Sequence, residues 1–264
     1  MGGTEDPRRL ELAANLRDVR DRIAAACARS GRDPDGVTLV AVTKTWPAAD
    51  VVRLAGLGVA DIGENRDQEA APKAAQVAAA GARVRWHFVG QLQRNKCRSV
   101  VTYADMVHSV DGVRLARALA EASRRHRNSA PGDAAAGDRA AGDQAAGDRM
   151  LDVLVQVSID GDPTRGGAVA GSTDPDRELE QVVAAVAEAD VLRLRGVMAV
   201  APLEWEPARA YELLAELAGR IRAQHPAADV ISAGMSGDIE EAIDYGATHV
   251  RMGTALLGMR PTLM

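Results

Sequence analysis

In the first thirty residues the apolar side chains fall at Leu12, Leu16, Val19, Ile23 and Ala26. Spacings of four and three place them on one face of a helix over residues 8–29, with Arg and Asp on the solvated side. Gly31 and Pro34 end that helix. The pattern then changes to short β-branched runs alternating with helical stretches. Strands are predicted at 38–43, 59–62, 84–89, 106–109, 151–157, 194–200, 230–233 and 248–252. Helices are predicted between them at 48–57, 65–79, 94–101, 111–125, 176–188, 207–223 and 238–245, with a short closing helix near Ala255. Asp111 is placed to cap the fourth of these, and Pro207 suits the first turn of the sixth. Several strands are apolar throughout, as strands covered on both faces are. Eight β/α units in about 250 residues is the size of a TIM barrel. A doubly wound open sheet gives the same alternation and is the alternative. The expected fold is α/β: a single (β/α)8 TIM barrel spanning residues 1–264, with an extra N-terminal helix.

One segment breaks the pattern. Residues 132–149 read GDAAAGDRAAGDQAAGDR, a five-residue repeat with glycine in each unit and no large apolar side chain. It cannot contribute to a core and is expected to be a disordered surface insertion between the fourth helix and the fifth strand.

Composition narrows the function by exclusion. The chain has 264 residues, of which 47% are apolar. That suits one large domain burying roughly three quarters of its unfolded surface. Basic and acidic residues number 32 and 37, a net charge of -5, which argues against a general nucleic-acid or anionic-membrane binder. Cys27 and Cys97 are too few for a disulfide framework or a four-cysteine metal site. No apolar run approaches 18 residues, and the first residues carry neither a signal core nor a myristoylation motif, since Asp6 stands where Ser or Thr is required. The expected location is the cytoplasm. Within the basic count only Lys44, Lys73 and Lys96 are lysines; the other 29 are arginines. An arginine stays protonated and forms no imine, whereas a lysine amine can lose its proton and attack a carbonyl.

Lys44 follows the first predicted strand, at the end of a parallel barrel where active sites are built. A partly desolvated amine there is a nucleophile; a lysine that snorkels out of a strand end is the other reading. Lys73, in an alanine-rich helix, and Lys96, at a helix start, read as ordinary cations, with Lys96 also able to reach loop carbonyls. Ser232-Ala233-Gly234-Met235-Ser236-Gly237-Asp238 follows the seventh strand, and Arg251-Met252-Gly253-Thr254-Ala255 the eighth. Small residues expose backbone N–H groups there, and barrels bind phosphate with those two loops; two tight turns built from Gly and Ser are the plainer alternative. Asn65 faces the mouth or caps a helix. His87 touches a ligand or is a hydrogen-bonded core histidine. No histidine–carboxylate cluster has metal spacing, and the Walker, dinucleotide and Gly-x-Ser-x-Gly motifs are absent.

A lysine amine together with a phosphate cradle suggests a phosphorylated aldehyde. The sequence resembles the pyridoxal phosphate (PLP) homeostasis protein family, small PLP-binding proteins related to the barrel domain of bacterial alanine racemase. The resemblance rests on residues 39–44, on Asp61-Ile62-Gly63-Glu64-Asn65 with Gln68-Glu69, on the WHFVGQLQRNK stretch at 86–96, and on His108-Ser109-Val110-Asp111. It continues at Gly234-Met235-Ser236-Gly237-Asp238 and Arg251-Met252-Gly253-Thr254-Ala255. It implies that Lys44 carries PLP as an internal aldimine, that Ser236, Gly253 and Thr254 with backbone of Met235 and Gly237 hold its phosphate, and that Arg251 faces the pyridine nitrogen. Asn65 and His87 would line the ring pocket. A guanidinium only donates hydrogen bonds, so it leaves that nitrogen unprotonated and the ring a weaker electron sink. The loop at 157–167 departs from the family pattern, with Arg165 where a lysine is usual. The implied function is a PLP carrier or regulator with apo PLP enzymes as acceptors, as a monomer or weak homodimer. A PLP-dependent racemase is the alternative. A two-base racemase needs a group on each face of the cofactor, and in the racemases one comes from a β domain for which a chain ending at Met264 has no room. A Schiff-base aldolase without PLP is a third reading.

Overall fold

A computed structural model describes residues 6–129, 150–162 and 165–259; the five-residue repeats lie outside the described residues. Eight parallel strands form a closed barrel in chain order. They are β1 (Thr38–Val42), β2 (Asp61–Glu64), β3 (Arg85–Phe88), β4 (Met106–Val110), β5 (Leu151–Gln156), β6 (Leu192–Met198), β7 (Val230–Ser232) and β8 (His249–Met252). The β1–β8 pairing, with Val40 opposite Arg251 and Ala41 opposite Met252, rules out the open sheet. The helices are α1 (Pro7–Arg29), α2 (Ala48–Ala55), α3 (Asp67–Ala79), α4 (Cys97–Val100), α5 (Val113–Ser129), α6 (Leu179–Ala187), α7 (Pro207–Gln224), α8 (Ile239–Asp244) and α9 (Thr254–Leu257).

The extra N-terminal helix has a structural reason. Among the described residues β8 is followed by the four-residue α9 alone, which is too short to cover the seam between β8 and β1. α1 packs against α8, α9 and α2 and completes the outer ring. Its buried face is Leu12, Leu16, Val19, Ile23 and Ala26, joined by Cys27. Asp6 caps it by accepting from the amides of Arg8 and Arg9, and Arg22 grips both carboxylate oxygens of Glu240 at 2.8 Å. Both cysteines are buried and free.

Most element boundaries shift by one to four residues from the sequence reading, the sixth strand running over Leu192–Met198 rather than 194–200, and two of the shifts bear on the site. The second strand starts at Asp61 rather than 59, because Val59 closes the turn after α2 through Leu54; Gly63 and Glu64 thereby enter the sheet. Asp111 does not cap α5. That helix starts at Val113, and Asp176 accepts from the Arg114 amide. Asp111 turns instead to the Gly167 amide, 3.4 Å away.

Candidate functional site

The C-terminal ends of β1, β2, β7 and β8 carry most of the candidate residues. Lys44 lies two residues past β1 in a tight turn closed by the Trp46 amide on the Thr43 carbonyl. Its side chain is exposed rather than desolvated, which corrects the expected burial. The turn around it is constrained. Thr45 sits at φ 67°, the only non-glycine at positive φ among the described residues. For a β-branched residue this costs roughly 1–3 kcal/mol and persists only where surroundings enforce it. Here the Thr45 amide donates to the Glu69 carboxylate at 3.1 Å, and Trp46 stacks under the Arg8 guanidinium at 4.4 Å.

Beneath the turn lies a buried pair that the sequence reading missed. Lys73 is not a surface cation. Its ammonium donates to Glu64 at 2.5 Å and to the Thr43 carbonyl at 2.8 Å, and both side chains are almost fully buried. The Thr43 hydroxyl donates to the same Glu64 oxygen at 2.6 Å, while Oε2 of Glu64 has no partner among the described residues. Burial pushes the Glu64 carboxyl up; the bonds from Lys73 and Thr43 oppose that rise. The residue next to Lys44 is thus tied by backbone and side chain to an ion pair in the wall of the barrel.

The loops after β7 and β8 meet. Ser236 Oγ lies 3.4 Å from the Ala255 amide. Gly234 has φ 86°, and a Cβ there would stand 2.7 Å from that of Ala242, so only glycine lets α8 pack under this loop. The Met235 amide is already spent on Asp238 at 2.6 Å, a correction to its expected availability. The amides of Ser236, Gly237 and Thr254 have no acceptor among the described residues. Unpartnered N–H groups on two adjoining loops suit a phosphate. On the opposite side of Lys44, Asn65 is half-buried, and its buried Oδ1 has no partner among the described residues. Gly90 lets the β3 loop lie on the Asn65 backbone, where any Cβ would collide.

Arg251 points into the barrel from β8 and is 5% exposed. It donates to Ser232 Oγ at 2.8 Å and to the Ala199 carbonyl at 2.9 Å, two of its five N–H donors. Burial lowers its pKa, with Tyr211 and Asp238 opposing. His87 is buried with both ring nitrogens engaged, Nε2 to Asp61 at 2.9 Å and Nδ1 to His108 at 2.8 Å. It has no ring nitrogen left for a ligand. Tyr211 donates to Asp238 at 2.6 Å, and burial and that carboxylate raise its pKa. Arg165 reaches Asp160 and the carbonyls of Val200 and Ala201, tying the β5 loop to the β6 loop. A depression of about 840 Å3 lies on the β3–β5 side of the rim, lined by Gln91, Arg94, Asp111, Gly166 and Arg177 among others; it does not include Lys44. Among the described residues no cluster of His, Cys, Asp or Glu could hold a metal, and no helix is long and apolar enough to cross a membrane.

Residues 11–261 match the family model described as "Alanine racemase, N-terminal domain". The chain is 41% identical to the pyridoxal phosphate homeostasis protein of Mycobacterium bovis, over 96% of this chain and 94% of the relative. It is 36% identical to the Escherichia coli K12 protein of the same name, over 95% and 97%. Among solved structures it is similar to PipY of Synechococcus elongatus with PLP bound, at TM-score 0.70 and 27% identity, over 94% of this chain and 100% of that one. The alanine racemase of Corynebacterium glutamicum shares the fold at TM-score 0.64 and 16% identity, but the match covers 97% of this chain and 62% of the racemase.

Proposed function

Because the chain belongs to the pyridoxal phosphate homeostasis family, built on the alanine racemase N-terminal domain, we propose that it binds PLP as a Schiff base on Lys44 and serves intracellular PLP homeostasis. It carries or buffers the cofactor in the cytoplasm, hands it to apo PLP enzymes, and catalyses no demanding turnover of its own. It works as a monomer or weak homodimer. The observation that supports this best is chemical. One rim holds an exposed primary amine, two loops with unpartnered amides, and a buried guanidinium on the strand beside the amine. The solved PipY structure with PLP bound supports the same reading.

When bound, PLP supplies an aldehyde that a lysine amine attacks reversibly. The protein's own residues do the rest. Lys44 stands on a turn whose backbone shape is held by Glu69, Lys73 and Glu64. Ser236, Gly237, Gly253 and Thr254 hold the phosphate; Met235 contributes shape, its amide being committed to Asp238. Asn65 offers its free Oδ1 to the ring side. Arg251 faces the ring nitrogen and only donates, so it keeps that nitrogen unprotonated. A racemase needs a second acid/base group. Burial and Asp238 keep the Tyr211 phenol protonated, which removes the tyrosine nearest the phosphate loop from that role.

Absorbance titration of the purified protein with PLP tests the reading. A saturable visible band, absent in Lys44→Ala, is expected; no uptake by the wild type overturns it. Racemisation of common amino acids that is lost in Lys44→Ala would replace the carrier with an enzyme.

A further inference from the structure

A chain of buried polar side chains crosses the barrel interior and ends on Arg251. Asp61 on β2 meets His87 on β3 at 2.9 Å, His87 meets His108 on β4 at 2.8 Å, and His108 Nδ1 meets Ser232 on β7 at 2.9 Å. Ser232 then meets Arg251 at 2.8 Å. β4 and β7 are not neighbours in the sheet, so the His108–Ser232 bond passes through the centre. Every member is at most 9% exposed.

With one proton on each histidine, the two ends set the direction of every hydrogen bond. Arg251 can only donate, so Ser232 Oγ accepts from it. The Ser232 hydroxyl must then donate to His108 Nδ1, its remaining partner in the chain. His108 therefore carries its proton on Nε2 and donates to His87 Nδ1, and His87 carries its proton on Nε2 and donates to Asp61. The Asp61 carboxylate only accepts, so the series closes without conflict. Both histidines are neutral in this arrangement. Burial, the first cause, and the charges of neighbouring basic groups push His108 well down. Burial, the largest effect, would raise the Asp61 carboxyl, but the bond to His87 and the nearby basic groups His87, Arg85 and His249 together outweigh it and lower the carboxyl. The third interior histidine, His249, is held 3.1 Å from Thr248 and stands outside the series.

We infer that Asp61, His87 and His108 are positioning residues, which act through Ser232 to fix the Arg251 guanidinium where it faces the bound ring. This rests on the PLP reading for what Arg251 faces, but the order of the chain does not. A loosened Arg251 would wander between the carbonyl of Ala199 and the mouth, and its hold on the ring nitrogen would weaken.

The test has a cofactor-free arm and a loaded arm. In cofactor-free protein at neutral pH, nitrogen-15 NMR should show His87 and His108 both neutral with the proton on Nε2, and slowly rotating, separately resolved Arg251 N–H signals. His108→Leu fills the same space without the bond and should average those Arg251 signals. His108→Asn, whose amide oxygen stands near the place of Nδ1, should restore them. In the loaded arm, His108→Leu should weaken PLP binding roughly threefold to tenfold, the size of one hydrogen bond. It should also shift the pH dependence of the visible band, and His108→Asn should reverse both. A proton on Nδ1 of either histidine, or a His108→Leu protein with unchanged Arg251 signals and unchanged PLP titration, overturns the inference. A wild type that takes up no PLP overturns the functional reading instead, and the cofactor-free arm then decides this one alone.

Discussion

Lys73→Met removes one half of the buried pair under the Lys44 turn. Its partner, Glu64, is 0% exposed, and one of its oxygens has no partner among the described residues. Breaking a buried pair from one side costs about 3–5 kcal/mol, because the remaining charge is left uncompensated. In a domain of this size that lowers the melting temperature by roughly 10 °C. The loss also has a pH signature. Burial already raises the Glu64 carboxyl, and the variant deletes the Lys73 bond and charge that oppose the rise. The folded carboxyl then titrates above its unfolded value of about 4.3, so the native state binds the extra proton and stability falls as pH rises. The deficit against wild type should be smaller near pH 5 than near pH 8. Replacing both partners, as in Glu64→Leu with Lys73→Met, should recover most of the stability but not the fixed turn. Thermal and urea melts at several pH values measure the first effect, and the rate of visible-band formation with PLP measures the second. A Lys73→Met protein that melts with wild type at pH 8 would refute the account of the pair.

Other expectations follow from single sites. His249 is buried, and burial lowers its pKa to about 4. The unfolded chain therefore takes up its proton first as pH falls through about 6.5, and stability on the order of 3 kcal/mol present at pH 7 is lost by pH 4; His249→Gln should lose less over that range in urea melts. Gly234→Ala puts a Cβ against Ala242 at positive φ and should lower PLP affinity more than pyridoxal affinity, since the phosphate loop is what moves. Leu12 is fully buried on α1, so Leu12→Ala should cost about 3 kcal/mol in a chemical denaturation curve, and a loss under 1 kcal/mol would show that α1 is not part of the barrel's outer ring.

The fold was legible because barrel strands and helices announce themselves by period, and the α1 stripe needed no tertiary information. Closure was not legible: the contact between β8 and β1 leaves no mark in local spacing. Lys73 was half legible. It lies three residues after Ala70 and four before Val77, on the face of α3 that the structure buries, and it is one of three lysines in an arginine-rich chain. What hid its role was Glu64, whose burial depends on a strand start two residues later than the apolar run suggests. Asp111 misled for a local reason, since an acidic residue before a helix reads as a cap whether or not another segment supplies one. The His87–His108–Ser232 series was out of reach, because strands apolar on both faces do not reveal which residues point into the barrel. The loops after β7 and β8 do meet at Ser236 and Ala255, but their residue types could not tell that the Met235 amide is taken by Asp238.

The proposed role of the protein stands on the Lys44 amine as the covalent anchor for PLP. Titrating the purified wild type and Lys44→Ala with PLP, followed by borohydride reduction and peptide mass analysis, tests it most directly. One saturable visible band is expected in the wild type, no such band in Lys44→Ala, and the reduced adduct on the peptide that contains Lys44. An adduct on Lys73 or Lys96 instead, or a Lys44→Ala protein with the wild-type band, would contradict it.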